Sequence, residues 1–390
     1  MRLIEVNDKN TVREFLEINV TINRVNPAYI RPLDHEVNEV FDPEKNKSFK
    51  YGEAKRWILK NDQSETIGRI AAFISSKYIN KGTEFSTGGF GFFDCINDQV
   101  AANTLFDQAK EWLVSKGAEA MDGPINFGDR DKWWGLLVEG FDNEPMYGMS
   151  FNPSYYETLF NNYGFKNYYN QYYYYMNVDD TFSDKIIERH ARIKAKTDYT
   201  ARHAELSKLE KYAGDFAKVY NAAWAQHGEA KEISEEQVIK LFKKMKPIMD
   251  ERTVWFAYYK EEPIAMFINI PDLNQYFKHF HGKFGWKEKL QLLWMKWRGT
   301  NKQLTGLAFG VVPKYQALGI DSFIIQECGS FVQGKGWYKQ YEMGWAGDWN
   351  PKMLNIYKSL GGYQSRRMIT FRYLFDQNQP FERHPEMIYK

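Results

Sequence analysis

At 390 residues the chain exceeds what one hydrophobic core ordinarily organises, so about two globular units are expected. Its charges nearly cancel at +2 with no long block of one sign, which argues against nucleic acid as the main ligand, and its two cysteines, Cys95 and Cys328, are too few for a disulfide framework. The start, Met1-Arg2-Leu3-Ile4-Glu5, lacks the apolar core of a signal peptide, and no run reaches the roughly 18 apolar residues of a membrane span, so a soluble, cytoplasmic protein is expected.

In chain order, residues 11–25 show a helical pattern, with Val12, Phe15, Leu16, Ile18 and Ile22 on one face. Two β-like runs, 57–60 and 68–74, flank a polar turn and read as a hairpin. A third run, 89–95, leads into a helix at 101–116 that Gly117 caps, and 121–127 reads as a further strand. A helix at 155–163 precedes Gly164-Phe165, and a β-rich tail covers 168–178. Residues 179–200 are charged and helical in character. After them the order repeats: helix 216–224, hairpin strands 254–259 and 264–270, strand 307–312, helix 321–333 ended by Gly334 or Gly336, helix 351–360 before Gly361-Gly362, and a tail at 368–375. Each half is expected to close on its own tail, with the Tyr172–Tyr175 run closing the first sheet.

The most informative stretch is 304–323. An apolar run stops at Pro313, a turn Gln316-Ala317-Leu318-Gly319 follows, and Phe323, Ile324, Ile325 and Cys328 mark a helix. Strand, loop and helix N-terminus in that order can hold a phosphate, because unpaired backbone amides and the helix dipole both favour an anion. Gly319 lets the backbone approach closely. The amides of Gln316, Ala317, Leu318, Gly319, Ile320 and Asp321 are the candidate cofactor-binding groups. An ordinary strand-to-helix turn is the alternative. Asp321 counts against the site: it stabilises a helix start by ~1 kcal/mol but repels a pyrophosphate.

The order helix, hairpin, strand, phosphate loop, helix, strand, helix and strand resembles the GNAT (Gcn5-related N-acetyltransferase) fold, and two copies look like the double-GNAT acyltransferases. The family loop runs Arg or Gln, two residues, Gly, one residue, then Gly or Ala; here Gln316 to Ile320 match and Asp321 departs. Asn350, with Tyr357 seven positions on and Gly361 four further, is similar to the family's second signature. The resemblance implies an α/β (α+β) class: two tandem GNAT-like domains, each a mixed twisted sheet flanked by helices. Residues 1–178 would form the first, 179–200 a linker, and 201–390 the second. It implies acetyl-CoA or another acyl-CoA as co-substrate, with Val311 and Val312 pairing to the pantetheine arm and Asn350 beside it. It also implies that Tyr357 protonates the leaving thiolate. Met353, Ile356 and Leu360 share its helix face, so a plain packing role stays open. Glu342 is carried forward as the base, although Asp348, His279 and His281 fit the same need.

The first half lacks this equipment. Its corresponding loop, 96–103, contains no Gly and carries Asp98, and Phe160 stands where the second half has Tyr357. It is expected to keep the fold without acyl-CoA chemistry and to wall the acceptor site. An insertion at 128–153, with Asp129, Arg130, Asp131, Trp133, Trp134, Glu139, Asp142 and Met146, reads either as a binding loop or as a plug in the interdomain seam. A second insertion, 276–300, places Leu290, Leu293, Trp294 and Trp297 on one helix face beside Lys283, Lys287, Lys289, Lys296 and Arg298. Packing of that face on the other domain is expected, in preference to a membrane. No metal-ligand spacing, nucleotide-binding loop or esterase motif is present. Together these features lead to an acyl-CoA-dependent N-acyltransferase acting by direct attack on the thioester, with an amine of a small molecule or peptide as acceptor. A non-catalytic CoA- or ligand-binding protein and a Fem-like aminoacyl transferase are the alternatives.

Overall fold

The computed structural model describes residues 1–78, 85–128, 130–224 and 232–387; Asp129, singled out above, lies outside them. The first half contains β1 (Arg2–Glu5), α1 (Lys9–Asn23), α2 (Asp34–Val40), β2 (Gly52–Lys60), β3 (Thr66–Ser75), β4 (Thr87–Cys95), α3 (Gln99–Ser115), β5 (Ala120–Gly123), β6 (Leu136–Glu139), α4 (Tyr156–Tyr163) and β7 (Lys166–Asn177). The second contains α5 (Asp184–Lys194), β8 (Tyr199–His203), α6 (Leu209–Trp224), α7 (Glu235–Met245), β9 (Val254–Tyr259), β10 (Glu262–Pro271), α8 (Asn274–Phe277), α9 (Trp286–Trp297), β11 (Gln303–Val311), α10 (Ile320–Val332), β12 (Gln340–Gly347), α11 (Pro351–Ser359) and β13 (Tyr363–Leu374). Both expected hairpins form. The strand expected at 121–127 stops at Gly123, before Pro124, which has no N–H to give to a ladder.

Alternation along β9 and β10 explains the layering. Trp255, Ala257, Ala265 and Phe267 point toward α10 and α5, while Val254, Phe256, Tyr258, Met266 and Ile268 point toward α6 and α7, the period-two pattern of a sheet buried on both faces. On α10 the residues Phe323, Ile324, Ile325, Cys328 and Val332 are buried, each large side chain contributing ~1.5–3 kcal/mol.

The strands form one sheet in the order β1-β2-β3-β4-β5-β13-β7-β12-β11-β10-β9-β8, with β6 added on β13. This corrects the expectation that each half closes on its own tail. The last strand of each half lies beside the other half: β7 pairs with β12 (Tyr174 opposite Met343), and β13 pairs with β5 (Tyr373 opposite Met121). The Tyr172–Tyr175 run is therefore central. A strand pattern defines the strand and not its neighbour; β5 and β12 each offer an open edge, and an open edge pairs with whatever strand the chain brings to it. A bidentate ion pair fixes the exchange: Arg372 of β13 donates from Nε and Nη2 to Asp122 of β5 at 2.7 and 2.8 Å, with side chains 1% and 0% exposed.

Both halves share a second feature. β4 and β5 pair in parallel only from Thr87 to Gly89, and β11 and β12 only from Gln303 to Thr305. Beyond those rungs the strands diverge, and a bulge lies at each divergence. In β11 Leu307 is an extra residue between Gly306 and Ala308, opposite Asn269 and Ile268. In β4 the extra residue falls at Phe92, whose φ is +47°.

Candidate functional site

The cleft between the diverging ends of β11 and β12 faces the N-terminus of α10. After β11, Pro313–Tyr315 makes one 3-10 turn, Ala317 and Gly319 both take positive φ (+61° and +94°), and α10 begins at Ile320 with no side-chain cap. Gly319 is needed for its backbone angle, because an added Cβ would meet only ordinary contacts at 3.5 Å. The first-turn amides of a helix have no intrahelical acceptor, so this loop leaves them directed at the cleft. Val312 N–H donates to Ile264 O at 2.9 Å, and Gln316 Nε2 donates to Val311 O at 3.1 Å. Those two expected cofactor contacts are thus partly engaged by the protein.

Helix α5, expected as part of a linker, supplies what the sequence reading lacked. Arg192 Nη2 lies 3.5 Å from Leu318 O, and the stem of Arg189 lies beside Gly319. The Arg192 guanidinium therefore stands beside the loop, a cation that would attract an incoming phosphate.

Tyr357 is 6% exposed and its hydroxyl donates to Gly344 O, on β12 at the start of the divergence, at 2.7 Å. Burial pushes its phenol well above the ordinary value, which keeps the proton available for donation. Tyr341, which sequence reasoning missed, sits at the last paired rungs; its hydroxyl is 2.9 Å from where a Cβ on Gly306 would be, and burial raises its phenol too. The signal was period-two alternation, which turns Tyr341 to the face opposite Glu342. Asn350 caps α11, accepting from Met353 N at 3.2 Å.

Glu342 does not fit the free base expected. It is 2% exposed and engaged by Arg366 Nη1 and Ser365 Oγ, while Arg366 Nη2 donates to Glu144 O at 2.5 Å. Burial pushes its carboxyl up, against the pull of Arg366. The partner comes from another strand: Arg366 lies on β13, which reaches Glu342 of β12 across the intervening β7. On the same face Asp272, at the end of the β10 segment, is fully buried. Its Oδ1 accepts from Tyr147 N at 2.9 Å and Asn274 N at 3.3 Å, its Oδ2 has no partner among the described residues, and burial pushes its carboxyl up to about 6. Asp348 is held by Asn170 at 2.7 Å and Arg383 at 2.5 Å. His279 and His281 are exposed between α8 and α9.

A small apolar cavity lies on the α10 side of the sheet, lined by Leu304 and Tyr341 at the paired rungs and by Phe267, Ile325, Cys328 and Leu360 deeper in. The equivalent space in the first half is full. Phe160, in the position of Tyr357, packs on Phe90, Phe93, Phe106 and Phe165 with ring centroids 5.0–5.8 Å apart. Its loop is closed as well, since Asp98 caps α3 by accepting from Ala101 N at 2.9 Å. Another pocket lies on the opposite face of the first half, around Asn19, Tyr29, Arg69 and Asp94; it is away from the loop and phenols, so the cleft of the second half is the better chemical site.

The first insertion packs beside that cleft. Thr305 Oγ1 lies 3.2 Å from Met146 Sδ, Asn274 Nδ2 donates to Pro145 O at 2.8 Å, and Lys278 Nζ donates to Glu144 at 3.0 Å. Trp133 and Trp134 do not plug the seam; they pack with Phe127 and Ile125 in the first half. Helix α9 also departs from expectation. It buries Met295 against Leu33, Phe277 and Phe280, with Leu292 partly buried there, and leaves its main apolar face outward. No helix among the described residues is long and apolar enough to cross a membrane.

No family model matches the chain. It is 25% identical to the bacterial ceramide synthase of Caulobacter vibrioides (strain NA1000 / CB15N) over 371 residues, covering 93% of this chain and 94% of that protein. A solved tandem GNAT protein from the clavulanic acid biosynthesis pathway superposes with a TM-score of 0.54 at 8% identity, over 98% of this chain and 99% of the other. The GCN5-related glucosamine N-acetyltransferase region of a fungal multi-domain GH3 β-N-acetylglucosaminidase superposes with a TM-score of 0.55 at 12% identity, over 95% of this chain and 38% of that one. The chain has the tandem GNAT fold.

Proposed function

We propose that this chain is an acyl-CoA-dependent N-acyltransferase that transfers a fatty acyl group to the amine of a long-chain amino alcohol. The observation that carries this reading is the apolar cavity at the apex of the cleft, lined by Leu304 and Tyr341; an acetyl group has no need of it. The similarity to a ceramide synthase supports the same chemistry, a ceramide being a fatty amide of a long-chain amino alcohol.

In this scheme the pyrophosphate of acyl-CoA rests on the amides of Gln316 to Asp321, with Arg189 and Arg192 beside it. Asn350 serves as the cap that fixes α11, and thus Tyr357. The acyl chain occupies the cavity and the thioester lies between Gly306 and Gly344. The amine enters from the insertion side and attacks the thioester carbon; the C–N bond forms, the C–S bond breaks, and Tyr357 gives its proton to the departing thiolate. The amine proton passes to Asp272, whose unpartnered oxygen and raised affinity for protons suit a base better than the ion-paired Glu342 does. Direct attack fits the cysteines: burial pushes Cys95 up to about 12 and Cys328 higher still, so neither is a thiolate nucleophile near neutral pH.

Calorimetry on the intact protein tests the reading. A long-chain acyl-CoA is expected to bind more tightly than acetyl-CoA, and Gly319→Arg to abolish both. Absence of binding by every CoA species would overturn it in favour of a non-catalytic GNAT-fold binding protein, the reading that Asp321 favours.

A further inference from the structure

Helix α9 carries five large apolar side chains that nothing among the described residues covers: Trp286 (69% exposed), Leu290 (58%), Leu293 (63%), Trp294 (55%) and Trp297 (80%). Stepped at about 100° per residue, they fill one continuous arc of about 100°. Lys287 lies at one edge of that arc and Lys289 and Lys296 at the other. Met295 and Leu292, on the opposite side, hold the helix on the cluster of Leu33, Phe277 and Phe280, so the outward face is fixed in place by its inner contacts.

The charge around this face is mostly positive. Residues 283–298 contain Lys283, Lys287, Lys289, Lys296 and Arg298 against Glu288 alone, and Glu288 is used locally, accepting from Gly285 N at 2.7 Å. The carbonyl of Pro247, just after α7, accepts from Lys296 Nζ. Lys287 and Arg298 lie 5.7 and 5.5 Å from the rings of Trp286 and Trp294. Indole rings belong at the level of lipid headgroups, aliphatic side chains just below them, and lysines at the rim where their ammonium groups meet phosphates.

We propose that α9 docks the protein on an anionic lipid bilayer, lying in the interface with the Trp286–Trp297 face inserted and the lysines on headgroup phosphates. A second copy would set the same basic rim against itself, whereas an anionic membrane satisfies both features. The docked helix leads through Thr300 directly into β11, one wall of the cleft, so a membrane-borne acceptor would arrive beside the site. The docking itself does not depend on the proposed reaction.

Vesicle flotation of the full chain tests this. The protein is expected to float with phosphatidylcholine–phosphatidylglycerol vesicles and far less with phosphatidylcholine alone. The triple substitution Trp286→Ser, Trp294→Ser and Trp297→Ser should weaken binding by at least about tenfold, and Lys287→Glu with Lys289→Glu should remove the preference for the anionic lipid. All five positions are exposed, so circular dichroism and melting should be unchanged. Equal flotation of wild type and triple variant, or none by the wild type, overturns the proposal. Sedimentation velocity covers the remaining case: a wild-type dimer that the triple variant converts to a monomer, without vesicle binding, assigns the face to a second copy and overturns it as well.

Discussion

The substitution Cys328→Phe tests the acyl cavity most sharply. Cys328 is 7% exposed and lines the cavity with Leu304 and Ile325, so a phenyl group there would occupy the space of about four methylenes. At ~0.8 kcal/mol per buried methylene, denying those contacts to an acyl chain costs ~3 kcal/mol, or ~10²-fold in affinity. Acetyl-CoA does not reach that depth and should bind as before. The assay is calorimetry with a series of acyl-CoAs of rising chain length: wild-type affinity should rise with length, and the variant's should level off early. A cavity also accepts a larger side chain more easily than a filled core, where overpacking costs ~1–3 kcal/mol, so melting of the variant should stay near that of the wild type. A parallel loss for acetyl-CoA and long-chain acyl-CoA would show that the phenyl disturbs the cleft rather than a chain pocket. An unchanged length dependence would place the acyl chain elsewhere.

Tyr357→Phe removes the proton donor and the bond to Gly344 O but keeps the ring packing on Tyr174; kcat should fall by about 10²-fold with little change in acyl-CoA affinity, and unchanged turnover would dismiss the acid role. Asp122→Ala leaves Arg372 charged and buried between β5 and β13, so chemical denaturation should report a loss of ~3–5 kcal/mol; because the exchanged strands join the halves, unfolding should remain one transition, and two separate transitions would contradict the shared sheet. For Asp272, burial raises the folded-state carboxyl from 3.8 to about 6, so the folded chain binds the proton more tightly than the unfolded one. Its ionisation therefore destabilises the fold above about pH 6, by up to ~3 kcal/mol, and that cost fades as the pH falls toward 4. Asp272→Asn should raise the melting temperature near pH 8 and have little effect near pH 4, while abolishing the rise of acyl-transfer rate through about pH 6; the opposite pH trend in melting would rule out a strained carboxylate.

Much of the architecture was legible because it is local. Alternation marked the hairpins, β11 stopped where Pro313 required, and Asp98 and Phe160 marked the first half as the poorer site. What escaped depends on distant partners. Glu342 read as a free carboxylate because Arg366 lies on another strand, and the Arg192 cation beside the loop comes from α5, which the pattern labelled a linker. For α9 the arc of Leu290, Leu293, Trp294 and Trp297 was correct, but periodicity defines a face without stating what covers it. Burial fell to Leu292 and Met295 instead, because the loop after α8 turns that side onto Phe277 and Phe280.

Comparison of the two halves explains how one repeat can divide its labour without changing fold. Both diverge after three paired rungs and both carry a bulge at that point, so the backbone opening is a property of the repeat. Its contents differ by few residues. In the first half Phe90, Phe93, Phe106 and Phe160 fill the space beside the opening, and Asp98 caps the helix whose amides would otherwise meet a phosphate. In the second half the corresponding helix has Gly319 and no side-chain cap, a phenol stands where Phe160 stood, and the space is left as a cavity. Filling a cleft with aromatic rings stabilises the half that contains it, whereas an open apolar cavity forgoes that packing. The strand exchange lets the filled half support the open one: β7 braces β12 along the cleft, and the Asp122–Arg372 pair locks β13 behind it. On this reasoning the first half stiffens the site and, through residues 144–147, forms its acceptor wall, which predicts that shortening that loop would alter the choice of amine while leaving acyl-CoA affinity intact.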